Sequence, residues 1–237
     1  MIRLENITVT FGGIVALDAV SADFSASVSG IIGPNGAGKT TTMNVISGFI
    51  RCNGRIECDG EDINRLSPAM RTRWGLRRSF QREQIAPDLS VIDNLRVIQD
   101  HVPGSRAGKR RELAHAIKVA GLAGYEHRLA GELNTFERRL TDIARCLIGQ
   151  PKIVMLDEPG GGLTRDEAGH LGDLILQIPE HTDATTLVID HDVDLIKRIC
   201  TETLVLDFGK RIAFGETQTV LDDPKVQAAY LGIEEVA

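Results

Sequence analysis

The feature that most constrains this sequence is a glycine-rich stretch that matches every fixed position of the phosphate-binding pattern G-x-x-x-x-G-K-[ST]. Ile31 and Ile32 enter the stretch as a strand would, and residues 40–47 leave it as a short helix that ends at Gly48. The sequence therefore predicts a strand, a phosphate-binding loop and a helix in succession. The alternative is a glycine-rich turn with an incidental lysine. The loop consists of Gly33, Pro34, Asn35, Gly36, Ala37, Gly38, Lys39, Thr40 and Thr41.

The chemistry of this loop suits the phosphates of a nucleotide. Glycines let the backbone wrap around a phosphate without Cβ clashes, and consecutive amide groups with the N-terminus of the following helix attract its oxygens. Lys39 adds a positive charge for the β- and γ-phosphates, and the hydroxyl of Thr40 is suited to hold Mg2+. We therefore expect residues 33–41 to bind a nucleoside triphosphate.

A second element of the same kind of site is residues 152–159, an apolar run that ends in Asp157 and Glu158. Such a run predicts a buried parallel strand that delivers both acids at its carboxyl end, where ligands of open α/β sheets bind. Asp157 is placed to order the Mg2+ shell, directly or through water, and Glu158 to polarise an attacking water. The alternative is that the two acids only cap the following turn.

A third candidate is His191, which follows the β-rich run 185–189 and lies between two aspartates. A lone histidine is usually structural. At the end of a strand on the same sheet edge, however, a contact with a γ-phosphate is geometrically reasonable.

In this order, the motifs resemble those of the nucleotide-binding subunits of ABC transporters, and the resemblance covers nearly the whole chain. It implies that Phe11, in the fragment 11–13, stacks on adenine. It implies that Gln81 contacts Mg2+ and water and touches a membrane subunit. Glu158 would be the catalytic glutamate and His191 a sensor of the γ-phosphate. Asp157 would be the Walker B aspartate, and residues 160–164 would form the D-loop.

The same resemblance implies the fold. We expect one domain over residues 1–237, an α/β P-loop NTPase of the ABC cassette type with a RecA-like, doubly wound core. An antiparallel β subdomain is expected because residues 2–24 and 55–58 are β-rich. An α-helical subdomain is expected as an insertion at about 82–148, where Leu113, Ala116 and Ile117 have amphipathic spacing.

Within this family, the chain most resembles the ATP-binding subunits of branched-chain amino acid importers. Related importers for urea or other small polar solutes share several of the same fragments. The resemblance implies ATP hydrolysis that powers import of branched-chain or other small amino acids. Two alternatives are a soluble switch ATPase, a group that usually has two cassettes in one chain, and a regulatory subunit with negligible turnover. The fragments are 11–13, 46–49, 78–81, 91–95, 189–192 and 229–232.

The chain departs from the family at the signature Leu-Ser-Gly-Gly-Gln, which one cassette presents to the ATP held by another. Counting back without gaps from residues 143–145 places residues 133–137, Leu-Asn-Thr-Phe-Glu, at that position. Asn134 and Glu137 still predict a helix start with a capping box. Phe136 occupies a position where backbone must approach phosphate, and Glu137 brings negative charge toward an anion. We therefore favour a heterodimer with a second ATP-binding subunit; the alternative is a variant signature that still works.

Composition and charge limit the partners and the cellular location that we expect for this chain. The net charge is -6 and the pI about 5.6, which gives no electrostatic reason to propose nucleic acid as a partner. Residues 1–5 do not begin a signal peptide, and no apolar run approaches the roughly 20 residues of a membrane helix. We expect a cytoplasmic protein that reaches the inner face of the cell membrane through permease subunits. The cysteines have no metal-ligand spacing.

Overall fold

The computed structural model describes residues 1–102 and 105–231, so the fragment 229–232 ends outside the described residues. The strands are β1 Ile2–Phe11, β2 Ile14–Phe24, β3 Val28–Ile32, β4 Asn53–Cys58, β5 Glu61–Asp62, β6 Leu76–Arg78, β7 Ile153–Asp157, β8 Thr185–Ile189, β9 Glu202–Asp207 and β10 Lys210–Glu216. The helices are α1 Lys39–Ile46, α2 Pro68–Trp74, α3 Val91–Gln99, α4 Arg106–Val119, α5 Thr135–Cys146, α6 Arg165–Thr182, α7 Val193–Ile199, α8 Thr217–Leu221 and α9 Pro224–Leu231.

The chain divides into two compact units, and the first contains residues 1–71 and those from 187 onward. It has an antiparallel sheet in the order β2-β1-β4-β5. Along β1, Ile2, Leu4, Ile7 and Val9 are buried, whereas most of the residues between them are not. This alternation is typical of a sheet with one face on the core, and it explains why so polar a strand is stable.

The first unit also contains strands with a different pattern, since all five residues of β3 are buried. β9 lies between β3, to which it is parallel, and β10, to which it is antiparallel. A Cβ at Gly30 would lie 3.0 Å from the Thr203 Oγ1 atom, so the small residue allows the close packing of β3. The strand predicted from Ile31 and Ile32 is therefore present, and it is buried along its whole length, including Ser29.

The second unit contains residues 72–186 and so includes the predicted insertion at about 82–148. β6 and β7 pair in parallel, with Leu76 opposite Ile153, and all of β7 is buried. Helices α3, α4 and α5 pack on one another. Leu95, Ile117 and Ile143 are buried apolar residues of these helices. The first two residues of β8 belong to the second unit and the other three to the first.

No helix in the described ranges combines the length and the apolar character that are needed to cross a bilayer.

Candidate functional site

The predicted phosphate loop connects β3 to α1 in the first unit. Gly33 has φ +150°, and a Cβ there would lie 2.1 Å from the Leu206 carbonyl oxygen. Gly38 has φ +106°, and a Cβ there would lie 2.7 Å from the Leu17 Cδ2 atom. Both positions therefore require glycine, because any side chain would collide with the neighbouring strands. The glycines of the motif thus fit this loop tightly into the unit.

Lys39 is the first residue of α1, and it is nearly buried. Its Nζ atom donates hydrogen bonds to the carbonyl oxygens of Gly33, at 2.6 Å, and Pro34, at 2.9 Å. Gly38 provides no side-chain cap at the start of the helix. An ammonium group and an uncapped helix N-terminus therefore lie on the same loop, which is the arrangement that binds an anionic phosphate.

A contact that the sequence did not predict holds this loop in place. The turn between β9 and β10 donates a hydrogen bond from Gly209 N to Ala37 O at 3.0 Å and accepts one from Asp18 N at 2.8 Å. The turn thus joins the loop to β2 through backbone atoms alone. A glycine between two strand-like runs was the available signal, but a turn is all that such a glycine predicts.

Phe11 ends β1, and its side chain is 50% exposed. It pairs across the turn with Ile14, which is 73% exposed. Val15, next to Ile14, is also exposed. An accessible aromatic ring with apolar neighbours can stack on a planar ring such as a nucleotide base. Sequence reasoning missed Ile14 and Val15, although both are apolar and adjacent to the fragment 11–13.

In the second unit, Asp157 is the last residue of β7, where the sequence placed it. Its Oδ2 atom forms an ion pair with Arg78 Nη2 at 2.7 Å, and the two side chains are 6% and 5% exposed. The Arg78 guanidinium also lies 4.7 Å from the centre of the Phe80 ring. Arg78 was not among the predicted site residues, although it lies in the fragment 78–81.

Glu158 follows directly and has φ +50°, a left-handed conformation that is uncommon for a residue with a side chain. Its Oε2 atom accepts a hydrogen bond from Gln81 Nε2 at 2.7 Å. Two of the predicted residues are therefore in contact, and Asp157 is adjacent to them. The Gln81 amide donates this bond through its nitrogen, and its oxygen is a hard donor of the kind that Mg2+ prefers.

His191 belongs to the first unit, and its ring is 66% exposed. Its Nδ1 atom lies 3.5 Å from Oδ1 of Asp190, which is fully buried. Asp190 Oδ1 also accepts a hydrogen bond from Asp192 N at 3.0 Å, and Asp192 caps the N-terminus of α7. An accessible imidazole thus lies beside a buried carboxylate, and its other nitrogen can meet a ligand.

The predicted capping box at the start of α5 is confirmed. Asn134 Oδ1 accepts a hydrogen bond from Glu137 N at 2.8 Å, and Glu137 Oε2 accepts one from Asn134 N at 2.9 Å. Phe136 lies 6.5 Å, between ring centres, from His170. The polar side chains at this position are therefore engaged in starting the helix. Asn134 would have to give up its cap to replace the serine of a normal signature.

Helix α5 also holds the segment that follows Gln81. Arg139 Nη2 lies 3.2 Å from Glu83 Oε1, and Arg145 Nη1 donates to the carbonyl oxygen of Gln84. Arg145 also forms an ion pair with Asp142 at 2.9 Å. Two arginines of one helix thus fix residues 81–84, which include the predicted Mg2+ ligand Gln81.

Burial raises the pKa of Asp142 to about 6, although the nearby Arg145 and Arg139 act in the opposite direction. The folded chain therefore binds the Asp142 proton more tightly than the unfolded chain does. The resulting stabilisation is complete below the ordinary pKa of about 4 and is lost as the pH rises through about 6.

The Asp142→Asn side chain cannot titrate, so this variant does not lose that stabilisation. Its free energy of unfolding relative to that of the wild type should therefore rise by about 1 to 2 kcal/mol from pH 4 to pH 7. Urea unfolding of both proteins at the two pH values measures this change. An equal difference between the proteins at both pH values would contradict a raised pKa.

Comparisons with known proteins agree with this geometry. The profile of the ABC transporter family matches residues 17–161. The chain is 33% identical to the high-affinity branched-chain amino acid transport ATP-binding protein BraF of Pseudomonas aeruginosa, with 98% of each chain covered. It is 33% identical to a probable branched-chain amino acid transport ATP-binding protein, LivG, of Methanocaldococcus jannaschii, with 98% of this chain and 97% of that protein covered.

Among solved structures, an ATP-binding cassette of an ABC transporter in its ADP conformation is similar over 98% of both chains, with 31% identity and a TM-score of 0.86. The fold and the loop thus define an ATP-binding cassette. The chain belongs to the ABC transporter family. The predicted fold class is confirmed by the cassette structure, and the prediction that the chain is an ATPase is confirmed by its membership of the ABC transporter family.

Proposed function

We propose that this chain is the ATP-hydrolysing subunit of an importer for branched-chain or other small amino acids. The observation that carries the ATPase role is the phosphate loop, with the Lys39 ammonium held at its centre by two carbonyl oxygens. The importer role and the class of solute rest on the similarity to BraF and LivG over nearly the full length. A soluble switch ATPase has no comparable support.

Each predicted site residue has a proposed role. Residues 33–41 bind the phosphates, and Phe11 stacks on adenine. Thr40, Gln81 and Asp157 are the proposed Mg2+ ligands, because a hydroxyl, an amide oxygen and a carboxylate are each a hard oxygen donor. When bound, Mg2+ withdraws charge from the β- and γ-phosphates.

We assign the hydrolysis of ATP by water to Glu158 and His191. The Glu158 carboxylate, oriented by Gln81, accepts a proton from the attacking water. His191, which lies beside Asp190, donates a hydrogen bond to the γ-phosphate.

We further propose a division of the chain into a nucleotide-binding core and a helical subdomain at about 82–148, all within one cassette. The partners are integral permease subunits, which would place the chain at the inner face of the cell membrane. A second ATP-binding subunit with an intact signature is the favoured partner, because Asn134 and Glu137 are occupied with each other.

Uptake measurements test the importer role and the solute. Cells that lack this chain should lose most of their uptake of radiolabelled leucine, isoleucine and valine, and the wild-type chain should restore it. Restoration should fail with Lys39→Ala and succeed with Lys225→Ala, a lysine change on an exposed part of α9. Loss of urea uptake with unchanged leucine uptake would overturn the solute class, and unchanged uptake of both would overturn the importer role.

A further inference from the structure

The ion pair between Arg78 and Asp157 places a positive charge directly on a predicted ligand of Mg2+. Arg78 Nη2 is 2.7 Å from Asp157 Oδ2, and both side chains are almost fully buried. A carboxylate that holds a cation commonly has its charge balanced by that cation. Here an arginine already occupies one of its two oxygens, so Oδ1 is the oxygen that can meet a metal ion or its water.

The surroundings of the pair keep it rigid. β6 and β7 are parallel, with Arg78 opposite Met155, and Ser79 N donates to Met155 O at 2.9 Å. Asp157 N donates to the Ser79 hydroxyl at 3.4 Å. The Phe80 ring lies 4.7 Å from the guanidinium carbon. Arg78 thus lies on a strand that is bonded to the strand carrying Asp157, and it stacks on an aromatic ring.

Two opposing consequences follow from this geometry. The pair fixes the orientation of the carboxylate, which favours metal binding through Oδ1. Its positive charge also repels a divalent cation across a site of low dielectric constant. The repulsion acts on a doubly charged ion, whereas the orientation concerns only one of several ligands, so we expect the charge to dominate the affinity.

We infer that Arg78 is a positioning residue that orients Asp157 and weakens divalent cation binding there, so that the cation is held only together with nucleotide phosphates. The inference rests on the proposed role of Asp157 in the Mg2+ site. The buried arginine would thus make cation binding depend on nucleotide. A bare cation is repelled by the guanidinium, whereas a nucleotide-bound cation is accepted because phosphate charge offsets the guanidinium.

The test is a titration of the full-length chain with Mn2+, followed by electron paramagnetic resonance, with and without a non-hydrolysable ATP analogue. Arg78→Met, which keeps an unbranched side chain without charge, should bind Mn2+ about tenfold more tightly than the wild type without the analogue. With the analogue the gain should be smaller, because phosphate charge then offsets the guanidinium. Arg78→Lys, which keeps the charge, should stay close to the wild type. Analogue binding in EDTA should be the same for all three proteins.

A neighbouring residue provides the matched control. Arg77 is also buried on β6, but its guanidinium donates to the carbonyl oxygens of Ile148 and Gly149. Arg77→Met therefore removes a buried arginine without removing a charge from Asp157, and its Mn2+ affinity should equal that of the wild type.

Removal of Arg78 leaves Asp157 buried without its partner, which can destabilise the fold. If Arg78→Met does not fold, Asp157→Asn is compared with the double variant R78M/D157N, in which neither charge is left unpaired. The double variant should bind Mn2+ more tightly. Equal Mn2+ affinity with and without Arg78 would overturn the inference, whereas a wild-type chain that binds no ATP analogue at all would overturn the proposed function instead.

Discussion

Lys39→Ala should abolish ATP binding, whereas Glu158→Gln should preserve binding and lower hydrolysis by on the order of a hundredfold or more. The structure separates the two roles. Lys39 directs its ammonium group into the phosphate loop, between the carbonyl oxygens of Gly33 and Pro34. Its removal leaves a loop with amide dipoles but no cation. Glu158 is not part of that loop and is oriented by Gln81.

Glutamine at position 158 retains an oxygen that can accept the hydrogen bond from Gln81, so the local structure should persist while the base is lost. Equilibrium binding of a fluorescent ATP analogue and steady-state hydrolysis measure the two effects. Lys225→Ala serves as the control for loss of a lysine. Equal loss of nucleotide binding in the Lys39 and Glu158 variants would show that this division of roles is wrong.

The isolated chain should hydrolyse ATP slowly, and a second, distinct cassette should increase turnover by on the order of a hundredfold or more. A normal signature supplies hydrogen-bond donors from a serine and two glycines. Here Phe136 is bulky, Glu137 is acidic, and Asn134 is engaged in its capping box. A homodimer would have two ATP sites that include this altered signature. A heterodimer would have one competent site, formed by Lys39 and Glu158 of this chain and the signature of the partner.

Steady-state ATPase assays of the chain alone, and mixed with a cassette from the same organism, measure this effect. The same mixture with the Glu158→Gln chain should show no comparable stimulation, because the competent site would then lack its base. Robust and cooperative hydrolysis by the chain alone would mean that residues 133–137 replace the signature, and the case for a heterodimer would fail.

Local patterns predicted those parts of the molecule that are determined by local interactions. The phosphate loop follows from glycine spacing, and the start of α5 follows from Asn134 and Glu137, three residues apart. Burial of β7 follows from its apolar run, and the strand β3 follows from Ile31 and Ile32. The proposed roles of Phe11 and His191 stay predictions, although both side chains are accessible.

The contacts that sequence reasoning missed join residues far apart in the chain. The pair of Arg78 and Asp157 depends on the register between β6 and β7, and the hydrogen bond from Gly209 to Ala37 depends on how β9 packs beside β3. Neither register can be read from one strand alone, because each depends on packing with another part of the chain.

The left-handed backbone conformation of Glu158 lowers the stability of the folded chain at the position of its proposed catalytic base. Its φ of +50° costs a residue with a side chain on the order of 1 kcal/mol, and glycine adopts this conformation without that strain. Selection for heat resistance alone would therefore favour glycine at position 158, and it would remove the proposed base in the same step. A variant of this chain with glycine at position 158 would thus have a higher melting temperature and a lower rate of ATP hydrolysis, so stability and activity place opposite demands on this one residue.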